Sequence, residues 1–286
     1  MTDSQPSANS APPTWFTTLI ERSRSADGAP PFSDQSLVDL RLGERELIDV
    51  DRKAAALVSS TEAEFVVDPG SRGRGLGTEL LELLLDHAGD ELLVWAHGDH
   101  PAARALAASH GLEPVRELLH LTADLSHTAD DSGVPAPPAA SITAFVAAQD
   151  EDEWVALNAL AFASHPEQGS VTRADLNQLM DEPWFDADDF LLLRDGRGAL
   201  VGYCWLKIEG DSGEFYVVGI DPARQGEGLG RVLTEAGLAR LRERGVTRGH
   251  LYVEGDNLAA VGLYRSLGFV DDTIDIQYRW TRPASS

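Results

Sequence analysis

Apolar and polar positions along the 286 residues fall into two near-copies of one order of elements. In the first copy, helical spacing covers 14–25 and 33–42, and "RELIDV", "AAALVSS" and "EAEFVV" read as strands. Then come a helix at "LGTELLELLLDHAG", a strand at "ELLVWA", a helix at "PAARALAASHG" and a terminal strand. In the second copy, "EDEWVALNALAFA" and "RADLNQLMD" have helical spacing, and "DFLLLRD" and "ALVGYCWLKIE" are strands joined at the hairpin signal "DGRG". The strand "GEFYVVGI" leads to the amphipathic helix "LGRVLTEAGLARLRERG", which stops at glycine. "GHLYVE", "NLAAVGLYRSLG" and "DIQYRW" close the chain as strand, helix and strand. The pattern predicts an internally duplicated α/β protein with α+β mixed sheets. Its expected parts are a disordered tail over 1–13, a first domain over 14–126, a Pro-rich linker over 127–140 and a second domain over 141–286.

Each copy carries a glycine-rich turn between a strand and a helix, "FVVDPGSRGRGLG" and "VVGIDPARQGEGLG". Glycine admits the unusual dihedrals of such a turn and keeps side chains away. The backbone N–H groups then converge beside the positive end of the helix, a geometry suited to phosphate oxygens. The donors would be the amides of Gly226, Glu227, Gly228, Leu229, Gly230 and Arg231. In the first copy they would be those of Gly73, Arg74, Gly75, Leu76, Gly77 and Thr78, helped by the side chains of Arg72 and Arg74. A tight structural turn is the plain alternative. The spacing is neither that of a P-loop nor that of a dinucleotide fingerprint. Gly219, inside the strand before the second turn, suggests a bulge or a close backbone approach.

Charge narrows the function classes. The chain has 23 Lys plus Arg against 47 Asp plus Glu, a net charge of −24. Phosphate backbones attract basic surfaces, so nucleic acid is not expected as a partner. "MTDSQPSANSAPP" has neither the basic nor the apolar part of a signal peptide, and no run approaches the roughly 20 apolar residues of a membrane span. Cys204 is the single cysteine, which excludes an internal disulfide and fits a cytoplasmic location. A monomer without a metal is expected.

"GIDPARQGEGLG" followed by "LYVEGDNLAAVGLYRSLGF" resembles the GCN5-related N-acetyltransferases (GNAT superfamily), and the likeness covers both copies. It implies two tandem domains of that fold, each a mostly antiparallel sheet with a splayed central strand pair. It implies acetyl-CoA as cosubstrate, its pyrophosphate on the turns, including Gln225, and its pantetheine arm along Phe65, Val66 and Val67 or Val218, Gly219 and Ile220. Asp256, Asn257 and Ala260 would lie near its thiol end, although Asn257 also suits a helix N-cap. Further segments, "SHPEQG", "WLKIEGDSGEFYVVGIDP" and "WAHGDHPAARALA" among them, resemble a tandem branch of the superfamily in actinobacteria. That branch acetylates the cysteine amine of a cysteinyl-glucosaminyl-inositol. The likeness implies that Glu167, Lys207, Glu214 and Tyr252, with Asp34 as a looser match, hold the acceptor.

Acetyl transfer to an amine requires a base, because an α-amine with a pKa of about 8 is mostly protonated at neutral pH. Glu214, at the start of the strand before the turn, is the candidate base, and strict alternation would put Glu214, Tyr216 and Val218 on one face. Tyr264, two helical turns beyond Asn257, is the candidate acid for the departing thiolate. An acetyl-cysteine at Cys204 is the weaker rival, since no histidine lies in its segment. Aligning Asp68 with Asp221 sets Thr61 opposite Glu214, and aligning Asp99 with Asp256 sets Ala107 opposite Tyr264. The first copy is therefore expected to bind acetyl-CoA without using it. Glu227 departs from the pattern by placing an anion in the second turn. Rival functions are acetylation of another small amine or a protein N-terminus, and a non-catalytic acetyl-CoA sensor.

Overall fold

The computed structural model describes residues 12–126, 140–163 and 166–283. Most of the expected tail and almost all of the expected linker lie outside the described residues. The elements follow in chain order as α1 (Thr14–Asp27), α2 (Asp34–Leu42), β1 (Glu46–Val50), β2 (Ala54–Val58), β3 (Glu62–Val67), α3 (Leu76–His87), β4 (Glu91–Ala96), α4 (Pro101–Ser109) and β5 (Glu113–Asp124). The second series is β6 (Ser141–Ala144), α5 (Glu151–Ala161), α6 (Pro166–Gly169), α7 (Arg173–Met180), β7 (Phe190–Arg194), β8 (Leu200–Glu209), β9 (Ser212–Ile220), α8 (Leu229–Glu243), β10 (Arg248–Glu254), α9 (Leu258–Ser266) and β11 (Val270–Thr281). Strand β6 and helix α6 are additions to the elements expected from the sequence. Four residues each are too few to establish a period.

Two compact units result. One comprises Met1–Leu119, Glu254–Asp256 and Thr273–Ser286, the other His120–Val253 and Asn257–Asp272. Unit membership therefore does not follow the midpoint of the chain. The closing strand β11 pairs antiparallel with β4 in the first unit, from Ile276 opposite Ala96 to Thr281 opposite Glu91. The end of β5 belongs to the second unit, where Leu125 N–H donates to the carbonyl of Thr247. The end of each copy's last strand is thus assigned to the other's unit, an arrangement that local sequence pattern cannot reveal.

The strand ladders of the two units match in plan. In the first unit β1, β2 and β3 run antiparallel, and β3 then pairs parallel with β4. In the second, β6, β7, β8 and β9 run antiparallel, and β9 pairs parallel with β10. Both parallel ladders are short. The first spans Glu62–Glu64 against Leu93–Trp95, the second Ser212–Glu214 against Arg248–His250. Beyond them the strands splay, and the glycine turns lie past the splay.

One difference is decisive. The β8–β9 pairing shifts register between Trp205 and Leu206, because Trp205 faces Val217 while Leu206 faces Phe215. Tyr216 is the extra residue of a β-bulge. The β2–β3 pairing has no such shift.

The first unit's core gathers Leu80, Leu81 and Leu84 of α3 on β2 and β4, with Tyr278 and Trp280 from β11. In the second, Trp154 of α5 is fully buried among Phe190, Tyr203 and Trp205. Phe190 and Trp205 stack at 4.4 Å. Such pairs contribute about 0.5–1.5 kcal/mol each beyond burial, which stiffens the strands that carry the site.

Candidate active site

The bulge re-aims the side chains that follow it. Lys207 and Glu214 are cross-strand partners, and His250 is the parallel partner of Glu214. All three share the α5 face, where the Lys207 ammonium lies 5.7 Å from the Trp184 ring centroid. Tyr216 packs on Trp184 and Trp205 on the same face. Val218 does not share it, contrary to simple alternation. It pairs with Cys204, whose sulfur backs onto Gly237 of α8 on the opposite face. One inserted residue flips every later side chain.

Gly219 is a close approach and not the bulge. A Cβ there would fall 2.5 Å from the ring of Tyr203, whose hydroxyl donates to Asn158 at 2.7 Å. Tyr264 sits on the α8 face, 8% exposed, with Phe269 at 5.7 Å and Phe215 beyond it. Burial, with a smaller contribution from Cys204, pushes the phenol pKa well above its ordinary value. The phenol therefore stays protonated at neutral pH. Its hydroxyl makes no hydrogen bond among the described residues. Glu214 thus lies on the α5 face and Tyr264 on the α8 face. Cys204 is fully buried, and burial pushes its thiol pKa far up. A thiol held protonated is a poor nucleophile, so the acetyl-cysteine rival loses its physical basis.

The second turn reaches α8 with Gly226 at φ 81° and Gly228 at φ 80°, Gly228 being the helix N-cap. L side chains rarely adopt this region. Glu227 is bound by Arg224, with hydrogen bonds of 2.8 and 2.9 Å, so its charge is matched within the turn. Arg231 turns to the hydroxyl of Ser266 at 2.6 Å. Asn257 caps α9, its side chain accepting from the N–H of Ala260 at 3.2 Å. Asp256 and Tyr252 are exposed. Glu167 lies in α6 and Asp34 begins α2 in the first unit, and the side chains of both fall outside the described positions.

In the first unit a cavity of about 400 Å³ opens along the splay. Every residue of that copy expected to hold the cofactor lines it except Arg74. Gly73 and Gly75 take φ of 73° and 87°, and the space where a Cβ would stand is open at both. A glycine cradle, a helix N-terminus and a long cavity fit a nucleotide-linked pantetheine. Arg72 is bidentate to Asp27 at 2.7 and 2.6 Å, while Arg74 makes no ion pair among the described residues. Ala107, opposite Tyr264 by alignment, also lines the cavity, as do His97 and Tyr278. Tyr278 escaped the sequence reading because it comes from the closing strand.

The ladder corrects the pairing of Thr61 with Glu214. Glu62 faces Leu93 at the rung where Glu214 faces His250, because the second copy has one residue more between this rung and its Asp-Pro. A carboxylate is therefore retained in the first unit, but it is engaged. Glu62 accepts from the Trp95 indole at 2.8 Å, from Gln277 at 2.9 Å and from the buried Arg45 guanidinium. Next to it, Glu64 is 2% exposed and accepts from Ser33 and Ser36. Burial opposes its charge, yet His97 and these donors hold its pKa below the ordinary value. Burial likewise opposes charge on His97, but Asp275 at 2.9 Å and Glu64 at 3.5 Å raise its pKa to about 9.

A splayed strand pair ahead of a glycine turn, present in both units, is the arrangement of an acyl-CoA N-acetyltransferase. The acetyltransferase (GNAT) family model matches residues 59–112 and 145–269, one segment in each copy. A mycothiol acetyltransferase of Clavibacter sepedonicus is 47% identical over 272 residues, covering 91% of this chain and 90% of that protein. The chain belongs to the acetyltransferase (GNAT) family and, within it, to the mycothiol acetyltransferases. Among solved structures, a GCN5-related N-acetyltransferase from Sphaerobacter thermophilus has the same fold, with a TM-score of 0.75 at 23% identity over 99% of this chain and 96% of that one. A tandem GNAT protein from the clavulanic acid biosynthesis pathway gives a TM-score of 0.68 at 20% identity, covering 95% of each chain. This chain is thus an acetyl-CoA-dependent acetyltransferase built of two GNAT-fold units.

Proposed function

We propose that this enzyme acetylates the cysteine amine of a cysteinyl-glucosaminyl-inositol, completing mycothiol and releasing CoA by direct transfer within a ternary complex. The observation that carries the reading is Lys207, Glu214 and Tyr252 on neighbouring strands beside the second splay, in a chain so similar to curated mycothiol acetyltransferases. Acetyl-CoA, when bound, supplies the activated thioester. Glu214 removes a proton from the acceptor ammonium, and the freed amine attacks across the splay. Tyr264, held neutral by burial, delivers its proton to the leaving sulfur from the other face and recovers one from the nitrogen as the amide forms, so one proton per turnover remains on Glu214. Lys207 and Tyr252, with Glu167, hold the hydroxyl-rich acceptor, for which charged groups are strong hydrogen-bond partners.

The first unit binds a second acetyl-CoA and performs no chemistry. The enzyme acts as a cytoplasmic monomer with no nucleic-acid or membrane partner. No helix among the described residues is long and apolar enough to cross a membrane. The test is a panel of amines with acetyl-CoA and mass detection. The cysteinyl pseudodisaccharide should react far faster than a peptide N-terminus or an aminoglycoside. Comparable kcat/KM for a peptide amine would reduce the assignment to the superfamily.

A further inference from the structure

On the face that carries Glu214, neighbouring strands set two histidines and a carboxylate in a row. Adjacent strands lie about 4.8 Å apart, and directly opposed side chains share a face, so His250 stands beside Glu214. His250 Nδ1 is 3.3 Å from His120 Nε2, with the rings edge to face at 5.3 Å. His120 Nδ1 is 3.1 Å from Asp272 Oδ2. The Asp272 side chain is 39% exposed and also accepts from Arg248 at 3.1 Å. The row therefore runs from the half-buried base to solvent. Tyr252 packs against His120, with ring centroids 4.7 Å apart.

The charged groups facing His250 are Lys207 from β8, Glu214 from β9, Arg248 from its own strand, His120 from β5 and Asp272 from β11. Burial, then His120, Arg248 and Lys207, lower its pKa to about 4, against Asp272. The ring is neutral at neutral pH, with one nitrogen protonated and the other a lone pair. That is the state a proton relay needs.

Each turnover leaves one proton on Glu214, and it must depart before the next acceptor is deprotonated. An acceptor seated over Glu214 covers the direct route to water. We propose that His250 and His120 conduct this proton from Glu214 to Asp272 and so reset the base. Glu214 gives its proton to His250 Nε2, and His250 Nδ1–H passes its own to His120 Nε2. His120 Nδ1–H then protonates Asp272 Oδ2, which releases the proton to water. One proton enters the row and one leaves it, and each ring ends with its proton on the other nitrogen until it flips back. Both histidines act through Glu214 and are positioning residues, so the proposal rests on Glu214 as the base.

The test measures steady-state rates of His250→Gln and His120→Gln at several concentrations of imidazole in an otherwise dilute buffer. Each variant should lose about tenfold in kcat, less than removal of a general base costs, with KM for both substrates unchanged. Added imidazole should restore the rate, because a diffusible base replaces the missing ring. Asp272→Asn should lose less, since water reaches His120. If His250→Gln fails to fold, His120→Gln interrogates the same row from its outer end. A loss in acceptor KM that imidazole leaves untouched would overturn the relay and make the histidines binding residues. Full kcat in both variants would overturn it too. Glu214→Gln, run alongside, separates the two failures. Full activity there removes the base itself, whereas an inactive Glu214→Gln with fully active histidine variants removes only the relay.

Discussion

Glu62 and Glu214 occupy corresponding rungs of the two units, among different neighbours. Arg45, Trp95 and Gln277 occupy the oxygens of Glu62. Glu214 stands next to a bulge, a lysine and a neutral histidine, at the edge of the splay. Across the sheet, Tyr264 has Ala107 as its counterpart, and the space where a phenol would project is part of the cavity. On the proposed reading, a duplicated fold keeps its nucleotide cradle and its carboxylate and loses the reaction. A carboxylate already held by a guanidinium and two N–H donors has no lone pair to offer a substrate ammonium.

The comparison breaks most readily at the base. Glu214→Gln keeps shape and removes the proton acceptor, and kcat/KM should fall by about 10²–10⁴. Glu62→Gln should leave kcat within about twofold, since Glu62 moves no proton. Steady-state kinetics on folded variants reads both, and equal losses would erase the distinction between the halves. Tyr264→Phe comes next. It should lower kcat by about 10–10² with little change in acetyl-CoA KM, at the lower end of general-acid effects. A thiol-release assay checks this, and an unchanged kcat would make Tyr264 a packing residue.

The two turns were legible in the sequence because they are local. "DPARQGEGLG" and "DPGSRGRGLG" encode a turn, a cradle and a helix start within a dozen residues. Glu214 and Tyr264 were reachable from strand position, helix spacing and family resemblance. Two things were not. The bulge at Tyr216 leaves no mark in a run of apolar and polar letters, so counting from Asp221 missed the carboxylate at Glu62 by one place. The destination of β11 depends on pairing between residues about 180 apart, such as Ile276 and Ala96. That strand brings Asp275, Gln277 and Tyr278 to the first unit, and no motif links them to it.

The halves should also differ in what holds them together as pH changes. His97 in the first unit has a folded pKa near 9, raised above the ordinary 6.5 by Asp275 and Glu64. Its contribution is fully present below about pH 6.5 and disappears as pH rises through 9. From the size of the shift it is roughly 3 kcal/mol. The pKa of Glu64 is lowered, so its contribution holds above the ordinary carboxylate range and is lost in acid. Denaturant titrations at pH 6 and pH 9 should show the first unit losing stability in alkali, and His97→Gln should abolish most of that dependence. A pH response identical in the variant would refute the assignment.

The central claim is that both turns bind acetyl-CoA and only the second half performs chemistry. The most direct measurement pairs Gly75→Val with Gly228→Val, each a β-branched residue placed at φ 87° or 80° beside open space. Calorimetry counts acetyl-CoA sites while a thiol assay follows turnover on the same folded samples. The account predicts that each variant loses one site, that Gly228→Val loses turnover and that Gly75→Val keeps it. Turnover lost as completely in a folded Gly75→Val protein, or retained in Gly228→Val, would contradict it.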